Sequence, residues 1–254
     1  MIKFKNNKLL NIKNKKTTSS DRTLNIINSE SPFSITEAYK TLRTNVIFST
    51  RGTGCKKYAV TSPVPREGKT TNSVNLAISF AQTGKKVLLI DADLRKPRIH
   101  SYFGLRNRTG LSNILSGVFD DENKTYINKT NIENLDVITA GHIPPNPIEL
   151  LSSDNMRDFL QSLDDIYDFV VIDTPPINVV SDALVLSKYV TGYILVMRSN
   201  YSEYQSLKDA VSKFELANVK PLGVILNDYD ENKQKYSSRY KYKGYYYYYH
   251  SSSK

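Results

Sequence analysis

Short apolar runs rich in β-branched residues alternate with helical segments along most of this chain, and no other feature restricts the fold as strongly. Continuous apolar strands that alternate with helices are typical of a parallel sheet covered on both faces. Because 254 residues suit one domain with tails, we predict a single α/β domain with a mostly parallel central sheet and helices on both faces. The predicted strands are residues 57–62, 85–93, 134–140, 168–174, 192–198 and 221–227. The predicted helices lie near residues 34–48 (with Ser34 or Thr36 as N-cap), 70–84, 154–163, 181–189 and 202–217.

The two ends of the chain depart from this pattern. Residues 1–22 hold seven Lys or Arg against one acid, and residues 228–254 hold six against three, out of a formal net charge of +10. The middle is therefore nearly neutral, so the basicity belongs to the ends and does not indicate a nucleic-acid partner. Such ends are either solvated and disordered or loosely attracted to an anionic surface. We predict a basic disordered arm (residues 1–30), a folded domain (31–228) and a tyrosine-rich tail (229–254).

Cysteine content and hydropathy bear on the compartment. Cys55 is the only cysteine, so no internal disulfide is possible and a reducing compartment is expected. No apolar run approaches the roughly 18–20 residues that cross a bilayer, and the basic start lacks the apolar stretch of a signal peptide. We therefore expect a cytoplasmic protein without a membrane span of its own, recruited to the inner face of the membrane through a partner.

A phosphate-binding pattern follows the first predicted strand. In "SPVPREGKTT" (residues 62–71) the GK[ST] element opens a helix. In that position backbone N–H groups surround phosphate oxygens, Lys69 reaches the β and γ phosphates, and Thr70 offers its hydroxyl to Mg²⁺. The strict pattern has a glycine where this chain has Pro63. Taken alone, the element fits a phosphate site and an ordinary loop-to-helix turn equally well.

Three acids placed directly after apolar strands favour the phosphate site. Asp91 and Asp93 end one predicted strand, and Asp173 ends another. The carboxyl ends of parallel strands face the crevice where such sheets bind ligands, and Mg²⁺ beside phosphates needs one or two carboxylates. Each acid alone also fits a solvated loop residue that caps the next helix. The three together with GKT predict an ATP and Mg²⁺ site.

These motifs resemble those of the bacterial tyrosine kinases that control capsule and exopolysaccharide synthesis, relatives of the P-loop partition and division-site ATPases. "TSPVPREGKTT" is similar to the family's altered Walker A motif, "LLIDADLR" to its second Walker motif and "FVVIDTPP" to its Walker B motif. "AGHIPPNPIELL" (residues 140–151) is similar to its intervening stretch, and the resemblance covers roughly residues 31–228. It implies the P-loop fold and nucleotide contacts from Pro65, Arg66, Glu67, Gly68, Lys69, Thr70 and Thr71, with Asn227 near the adenine.

The implied reaction transfers a phosphoryl group from ATP to tyrosine. A phenol is a poor nucleophile at neutral pH, so it needs an aligned phosphoryl group, charge neutralisation by Mg²⁺ and Lys69, and a carboxylate that accepts its proton. We expect one of Asp91 and Asp93 to accept the proton and the other to hold the metal with Asp173 and Thr70. Their two roles stay interchangeable on the sequence.

Two charged residues near these motifs, Arg95 and Asp182, each have two interpretations. Arg95 closes the D-x-D-x-R motif and either orients its aspartates or forms a simple ion pair. Asp182 either faces the nucleotide or is a helix-start acid favoured by the helix dipole. The three histidines (His100, His142 and His250) are too scattered to predict a metal site.

The chain departs from the resembled patterns at two positions. The family's E-x-x-R-x-x-R oligomerisation motif appears as Glu37, Lys40 and Arg43, and Lys40 lacks the planar fork that pairs bidentately with a carboxylate. We therefore expect a ring-shaped homo-oligomer of reduced strength. Partition-type ATPases carry a signature lysine where this chain has Val64, which disfavours an ATPase that positions cargo on a membrane. The intact motifs disfavour a non-enzymatic scaffold.

The tail holds nine of the chain's eighteen tyrosines. A stacking or adhesive tail is one interpretation. The resemblance implies another, in which the tail is a phosphoacceptor that enters the site of a neighbouring subunit, and in which a membrane activator protein stimulates the kinase and other protein tyrosines are substrates. The candidate acceptors are Tyr229, Tyr236, Tyr240, Tyr242, Tyr245, Tyr246, Tyr247, Tyr248 and Tyr249.

Overall fold

A central sheet of eight strands organises the protein. The computed structural model describes residues 2–3, 26–50, 52–118, 126–219 and 221–229. In chain order the strands are β1 (Ile2–Lys3), β2 (Lys56–Thr61), β3 (Val87–Asp91), β4 (Asn128–Lys129), β5 (Leu135–Ile138), β6 (Phe169–Asp173), β7 (Gly192–Arg198) and β8 (Pro221–Asn227). They lie side by side in the order β1-β8-β7-β2-β6-β3-β5-β4, and every neighbouring pair is parallel except β4 with β5. The predicted mostly parallel sheet is confirmed.

The helices differ from the prediction at residues 181–189, at the N-cap of the first helix, and in three short helices (Ile99–Tyr102, Leu111–Ser116 and Pro147–Leu151) that the sequence did not predict. The helices are α1 (Phe33–Ser49), α2 (Lys69–Ala81), α3 (Ile99–Tyr102), α4 (Leu111–Ser116), α5 (Pro147–Leu151), α6 (Asp154–Ser162) and α7 (Tyr204–Leu216). The helix predicted near 181–189 is wrong, because this segment contains only a short 3₁₀ helix, Leu184–Lys188. The predicted side-chain cap of α1 is also wrong: Pro32 occupies the N-cap, and its carbonyl accepts from the N–H groups of Ile35 and Thr36.

Apolar side chains fill both faces of the sheet. Successive strand residues point to opposite faces. In β3, Leu89 accordingly packs with Val60 and Ile78 on one side, while Leu88 and Ile90 belong to a separate apolar cluster on the other side. Helices cover both clusters, which explains why the strands are continuously apolar rather than alternating.

Strand register brings the predicted acids together. β3 pairs with β6, and Asp91 lies directly opposite Asp173 at the carboxyl end of both strands. β2 is the other neighbour of β6, and the chain passes from β2 through the GKT loop into α2. The three motifs, which lie far apart in the sequence, therefore meet at the carboxyl ends of the central strands.

Part of the predicted arm is packed against the domain. Ile27 is buried, and its N–H donates to Oδ1 of Asn75 in α2 at 2.9 Å. Residues 2 and 3 pair as a short edge strand beside β8. Residues 4–25 lie outside the described residues, so the disorder predicted for them stays a prediction.

Candidate active site

The loop before α2 has the backbone shape of an anion-binding turn. Gly68 is the N-cap of α2 and adopts φ +89°, in the left-handed region. A Cβ at this position would lie 2.1 Å from Nδ2 of Asn227, so a side chain here meets both backbone strain and steric overlap. Because α2 begins at Lys69, the free N–H groups and the positive end of its dipole face the loop. The loop can therefore bind a phosphate.

Lys69 lies in contact with two of the three predicted acids. Its Nζ is 2.8 Å from Oδ2 of Asp93 and 3.4 Å from Oδ2 of Asp173, and only 11% of its side chain is exposed. Burial by itself lowers the pKa of Lys69, but the charges of Asp173 and Asp93 outweigh it and raise the pKa above its usual value. Lys69 is therefore charged at neutral pH, as a phosphate-binding lysine must be.

Hydroxyl groups from α2 hold Asp173. The hydroxyl of Thr70 donates to Oδ2 at 2.7 Å, and the hydroxyl of Ser73 donates to Oδ1 at 2.9 Å. Burial raises the pKa of Asp173, while Lys69 and the two hydroxyl donors oppose that rise. Sequence reasoning missed Ser73, although its place three residues after Thr70 puts both on one face of the helix.

Asp91 has one occupied and one vacant oxygen. Its Oδ2 accepts from the backbone N–H groups of Arg98 and Ile99, each at 2.9 Å. Its Oδ1 is buried and has no hydrogen-bond partner. Burial and the negative charge of Asp173 raise the pKa of Asp91 to about 7. A buried carboxylate oxygen without a hydrogen-bond partner, at the carboxyl end of β3, is suited to bind a cation or to accept a proton.

The donor set suits Mg²⁺ only together with a nucleotide. Among the residues that the structure describes, no group of three or more His, Cys, Asp or Glu side chains could hold a metal ion alone. Mg²⁺ beside phosphates takes one or two carboxylates and keeps several waters. The carboxylate of Asp173, the hydroxyl of Thr70 and one carboxylate of the Asp91/Asp93 pair fit that requirement.

The remaining loop residues divide into exposed and internal ones. Pro65 and Arg66 are exposed, and Arg66 has φ +68°. The hydroxyls of Thr71 and Tyr102 are 2.7 Å apart. Glu67 is buried, and its own carbonyl accepts from Nδ2 of Asn227 at 3.0 Å.

Asn227 is therefore beside the phosphate loop, and its predicted contact with the adenine stays a prediction. The nucleotide contacts predicted for Pro65, Arg66, Glu67 and Thr71 likewise stay predictions.

Arg95 and Asp182, each open to two interpretations on the sequence, pair with one another. Nε of Arg95 is 2.7 Å from Oδ2 of Asp182, and Nη2 of Arg95 is 3.0 Å from Oδ1. The Asp182 side chain is fully buried, whereas that of Arg95 is 40% exposed. The pair ties the loop after β3 to the segment after β6, so both motif loops share one support.

Comparison with known proteins places this geometry in a family. Residues 66–218 match a family described as "AAA domain". The chain is 40% identical over 231 residues to tyrosine-protein kinase YwqD of Bacillus subtilis, which covers 91% of this chain and 95% of that protein. The chain belongs to the bacterial tyrosine kinases. The kinase domain of the Escherichia coli tyrosine kinase ETK superposes with a TM-score of 0.74 at 39% identity, covering 84% of this chain and 81% of that one. The chimerical protein CapA2B2 superposes with a TM-score of 0.72 at 38% identity, covering 78% and 86%.

As a bacterial tyrosine kinase, the protein has the P-loop fold that its motifs predict, and its reaction is phosphorylation of protein tyrosine. Both predictions are confirmed by these relatives. Nucleotide binding belongs to this fold in general. No helix among the described residues has the length and hydropathy of a membrane span.

The predicted oligomerisation residues of this tyrosine kinase lie on α1 but do not face the same way. Glu37 and Lys40 form an exposed ion pair with each other at 2.8 Å. Arg43 turns toward α2, where its Nη1 donates to the carbonyl oxygen of Ser79 at 2.5 Å. Contact with another subunit stays a prediction for all three.

The described chain ends at the first predicted acceptor. Tyr229 is only 7% exposed, so its phosphorylation requires this end of the domain to move. The other eight tail tyrosines lie outside the described residues, so their role stays a prediction.

Proposed function

We propose that this bacterial tyrosine kinase uses ATP and Mg²⁺ to phosphorylate its own tyrosine tail between subunits, and thereby regulates capsular or exopolysaccharide synthesis and export. The observation that supports it most is the meeting of Lys69, Thr70 and three aspartates at the mouth of the phosphate loop. Phosphoryl transfer depends mainly on positioning and electrostatics, and this cluster supplies both.

Each residue of the cluster has one task in the proposal. The loop amides and Lys69 bind the phosphates, and Thr70, Asp173 and one member of the Asp91/Asp93 pair hold the metal. Mg²⁺, when bound, neutralises charge on the phosphates. Both oxygens of Asp93 are already engaged, one by Lys69 and one by the N–H of Lys96, whereas Oδ1 of Asp91 is vacant. This contrast favours Asp91 as the group that accepts the phenol proton and Asp93 as the metal ligand.

The tail is the proposed acceptor because of its composition. Nine tyrosines among Lys, Ser and Asn residues form a segment that is poorly suited to packing and well suited to presenting hydroxyl groups. A kinase that acts on protein tyrosine and has such a tail has its substrate attached. In the proposed ring, Glu37, Lys40 and Arg43 contribute to the subunit contact, and the tail of one subunit reaches the site of the next.

The proposed partner is a membrane activator whose cytoplasmic end stimulates the kinase. The CapA2B2 chimera has the same fold, and its name joins two components. Such a partner would recruit a cytoplasmic kinase to the inner face of the membrane, where polysaccharide is made and exported. Further protein tyrosines are the proposed downstream substrates, and no nucleic-acid partner is proposed.

A mixing experiment tests transfer between subunits. One chain carries Lys69→Met with an intact tail, and the other is active but has its nine tail tyrosines replaced by Phe. Incubation of both with ATP and Mg²⁺, followed by mass mapping, is expected to place phosphate on the tail of the Lys69→Met chain. Each chain alone serves as the control, and wild type gives the acceptor positions. Tail phosphate on wild type but not in the mixture, with the activator segment present, contradicts transfer between subunits. Absence of tail phosphate from both contradicts the whole proposal.

A further inference from the structure

Three side chains outside the phosphate loop hold its outer side. The hydroxyl of Ser202 donates to Oε1 of Glu67, and the hydroxyl of Tyr201 donates to the carbonyl oxygen of Pro65 at 3.2 Å. Nδ2 of Asn227 donates to the carbonyl oxygen of Glu67 at 3.0 Å. Tyr201 and Ser202 come from the connection between β7 and α7, and Asn227 ends β8.

Glu67 makes the contact with Ser202 important. Its side chain is fully buried, and no cationic side chain of the described residues pairs with it. Its second oxygen accepts only from the N–H of Val64, at 3.2 Å. A buried carboxylate without a cation depends on its hydrogen-bond donors, and the loss of one leaves an unsatisfied oxygen. In agreement, burial raises the pKa of Glu67 while the bond from Ser202 opposes that rise.

The hydroxyl of Ser202 is itself fixed by the backbone. Its Oγ accepts from the N–H of Arg198, the last residue of β7, at 2.8 Å. Because that bond uses the oxygen as an acceptor, the hydroxyl proton is directed to Glu67. A rigid strand end is thereby connected to the residue directly before Gly68 and Lys69.

We infer that Ser202 is a positioning residue for the nucleotide phosphates, acting through Glu67. Without the Ser202 hydroxyl, the Glu67 carboxylate must turn toward water to find a hydrogen-bond donor. This movement displaces the backbone that carries the N–H groups of the loop. The inference rests on the proposed binding of nucleotide at this loop. It assigns the residue a role in ground-state phosphate binding, because Ser202 touches neither the acids of the site nor the loop amides themselves.

Two isosteric variants test the role of the hydroxyl. Ser202→Thr keeps the donor and Ser202→Val replaces it by a methyl group of the same size, so packing is matched. The dissociation constant of a fluorescent ADP analogue with Mg²⁺ is expected to be roughly tenfold higher for the Val variant than for the Thr variant. The KM for ATP should rise in parallel, while kcat at saturating ATP stays within about twofold. The reason is that the loss of a residue that contributes only to substrate binding raises KM and leaves kcat unchanged.

The controls separate positioning from general stability. Ser199→Ala removes a hydroxyl from the same connection without removing a side-chain hydrogen bond given by the structure, and it should bind ADP like wild type. Thermal unfolding without nucleotide checks the fold of every variant, and Ser202→Ala replaces the Val variant if that one unfolds. Equal ADP binding by the Thr and hydroxyl-free variants, or equal losses of kcat and affinity, overturns this inference alone. Absence of ADP binding by the wild type overturns the proposed function and this inference with it.

Discussion

Arg95 donates two hydrogen bonds to Asp182, one from Nε and one from Nη2, and the Asp182 carboxylate is completely buried. Two parallel N–H···O bonds fix the direction of the guanidinium as well as its distance. Arg95 follows Asp91 and Asp93 in the same motif, and Asp182 follows the loop after Asp173. The pair therefore sets how the two acidic loops face one another.

The first prediction concerns this pair. Arg95→Lys keeps the charge but loses the planar guanidinium that donates two parallel hydrogen bonds. The rate of autophosphorylation should therefore fall by roughly tenfold, although the protein stays folded. Initial rates of tail phosphorylation and thermal unfolding give the two readouts. Lys208→Arg, an exposed change on α7, is the matched control and should leave the rate unchanged. A full wild-type rate in Arg95→Lys would show that Arg95 forms a simple ion pair with Asp182 and does not orient the aspartates.

Lys69 is predicted to matter for folding as well as for chemistry. Lys69→Met removes the cation between Asp93 and Asp173, and loss of one partner from a buried ion pair costs about 3–5 kcal/mol. We expect the nucleotide-free variant to unfold several degrees below wild type and to lack tyrosine phosphorylation. Lys85→Met is the control, because its partner Asp168 lies at the surface and such pairs contribute about 0–1 kcal/mol. Similar melting of the two variants would contradict the prediction.

The pKa of Asp91 predicts how the stability of the metal-free protein depends on pH. Its value of about 7 in the folded protein lies above the ordinary value of about 3.9. Between these two values the folded state keeps a proton that the unfolded state has lost, so the free energy of unfolding falls as pH rises. The slope is at most about 1.4 kcal/mol per pH unit and levels off above pH 7.

Asp91→Asn should lack this contribution. Its amide oxygen can accept from the N–H groups of Arg98 and Ile99, while its NH₂ group takes the place of the vacant oxygen. Urea unfolding in EDTA at pH 5, 6, 7 and 8 measures the difference between the two proteins. Parallel curves for wild type and Asp91→Asn would show that Asp91 does not titrate in this range.

Position 40 is predicted to tune assembly. Restoring the fork with Lys40→Arg should raise the fraction of ring measured by light scattering, because a guanidinium pairs bidentately with a carboxylate of the next subunit. Arg43→Ala gives a contrasting result if its bond to Ser79 dominates: a lower melting temperature at an unchanged oligomeric state. An unchanged ring fraction in Lys40→Arg would remove this helix face from the proposed interface.

Phosphorylation is predicted to loosen the ring. Each phosphate adds about −1.5 to −2 charge, so a few of them turn the net positive tail neutral or negative. Wild type should shift from ring toward monomer on incubation with ATP and Mg²⁺. The variant with nine Phe residues in the tail should not shift. The same shift in both would mean that nucleotide, rather than tail charge, controls assembly.

Much of the fold and the centre of the site follow from local sequence patterns. Apolar runs predict the strands, and the placement of Asp91 and Asp173 at strand ends predicts that they meet, because β3 and β6 prove to be neighbours in register. The short strands β1 and β4, the short helices α3, α4 and α5, and the 3₁₀ helix at Leu184–Lys188 escaped prediction, since such short elements have no periodicity of their own.

The supporting contacts escaped prediction for a different reason. Arg95 and Asp182 are 87 residues apart, and Ser202 and Glu67 are 135 apart. Hydrogen bonds between such distant residues depend on how the strands are ordered in the sheet. Ser202 in particular has no motif around it, and only its position at the end of β7 explains its contact with the loop.

The tail departs from the domain at a fixed point. Arg198 pairs with Asp228 through two nitrogens, at 2.9 and 2.8 Å, directly after the residue that holds the phosphate loop. In the proposed transfer between subunits, the number of residues after Asp228 limits how far each candidate acceptor can reach. About twenty residues at no more than 3.3–3.6 Å each limit that reach to roughly 70 Å at Tyr249. Under that proposal, the distance of a tyrosine from Asp228 limits which neighbouring site it can enter.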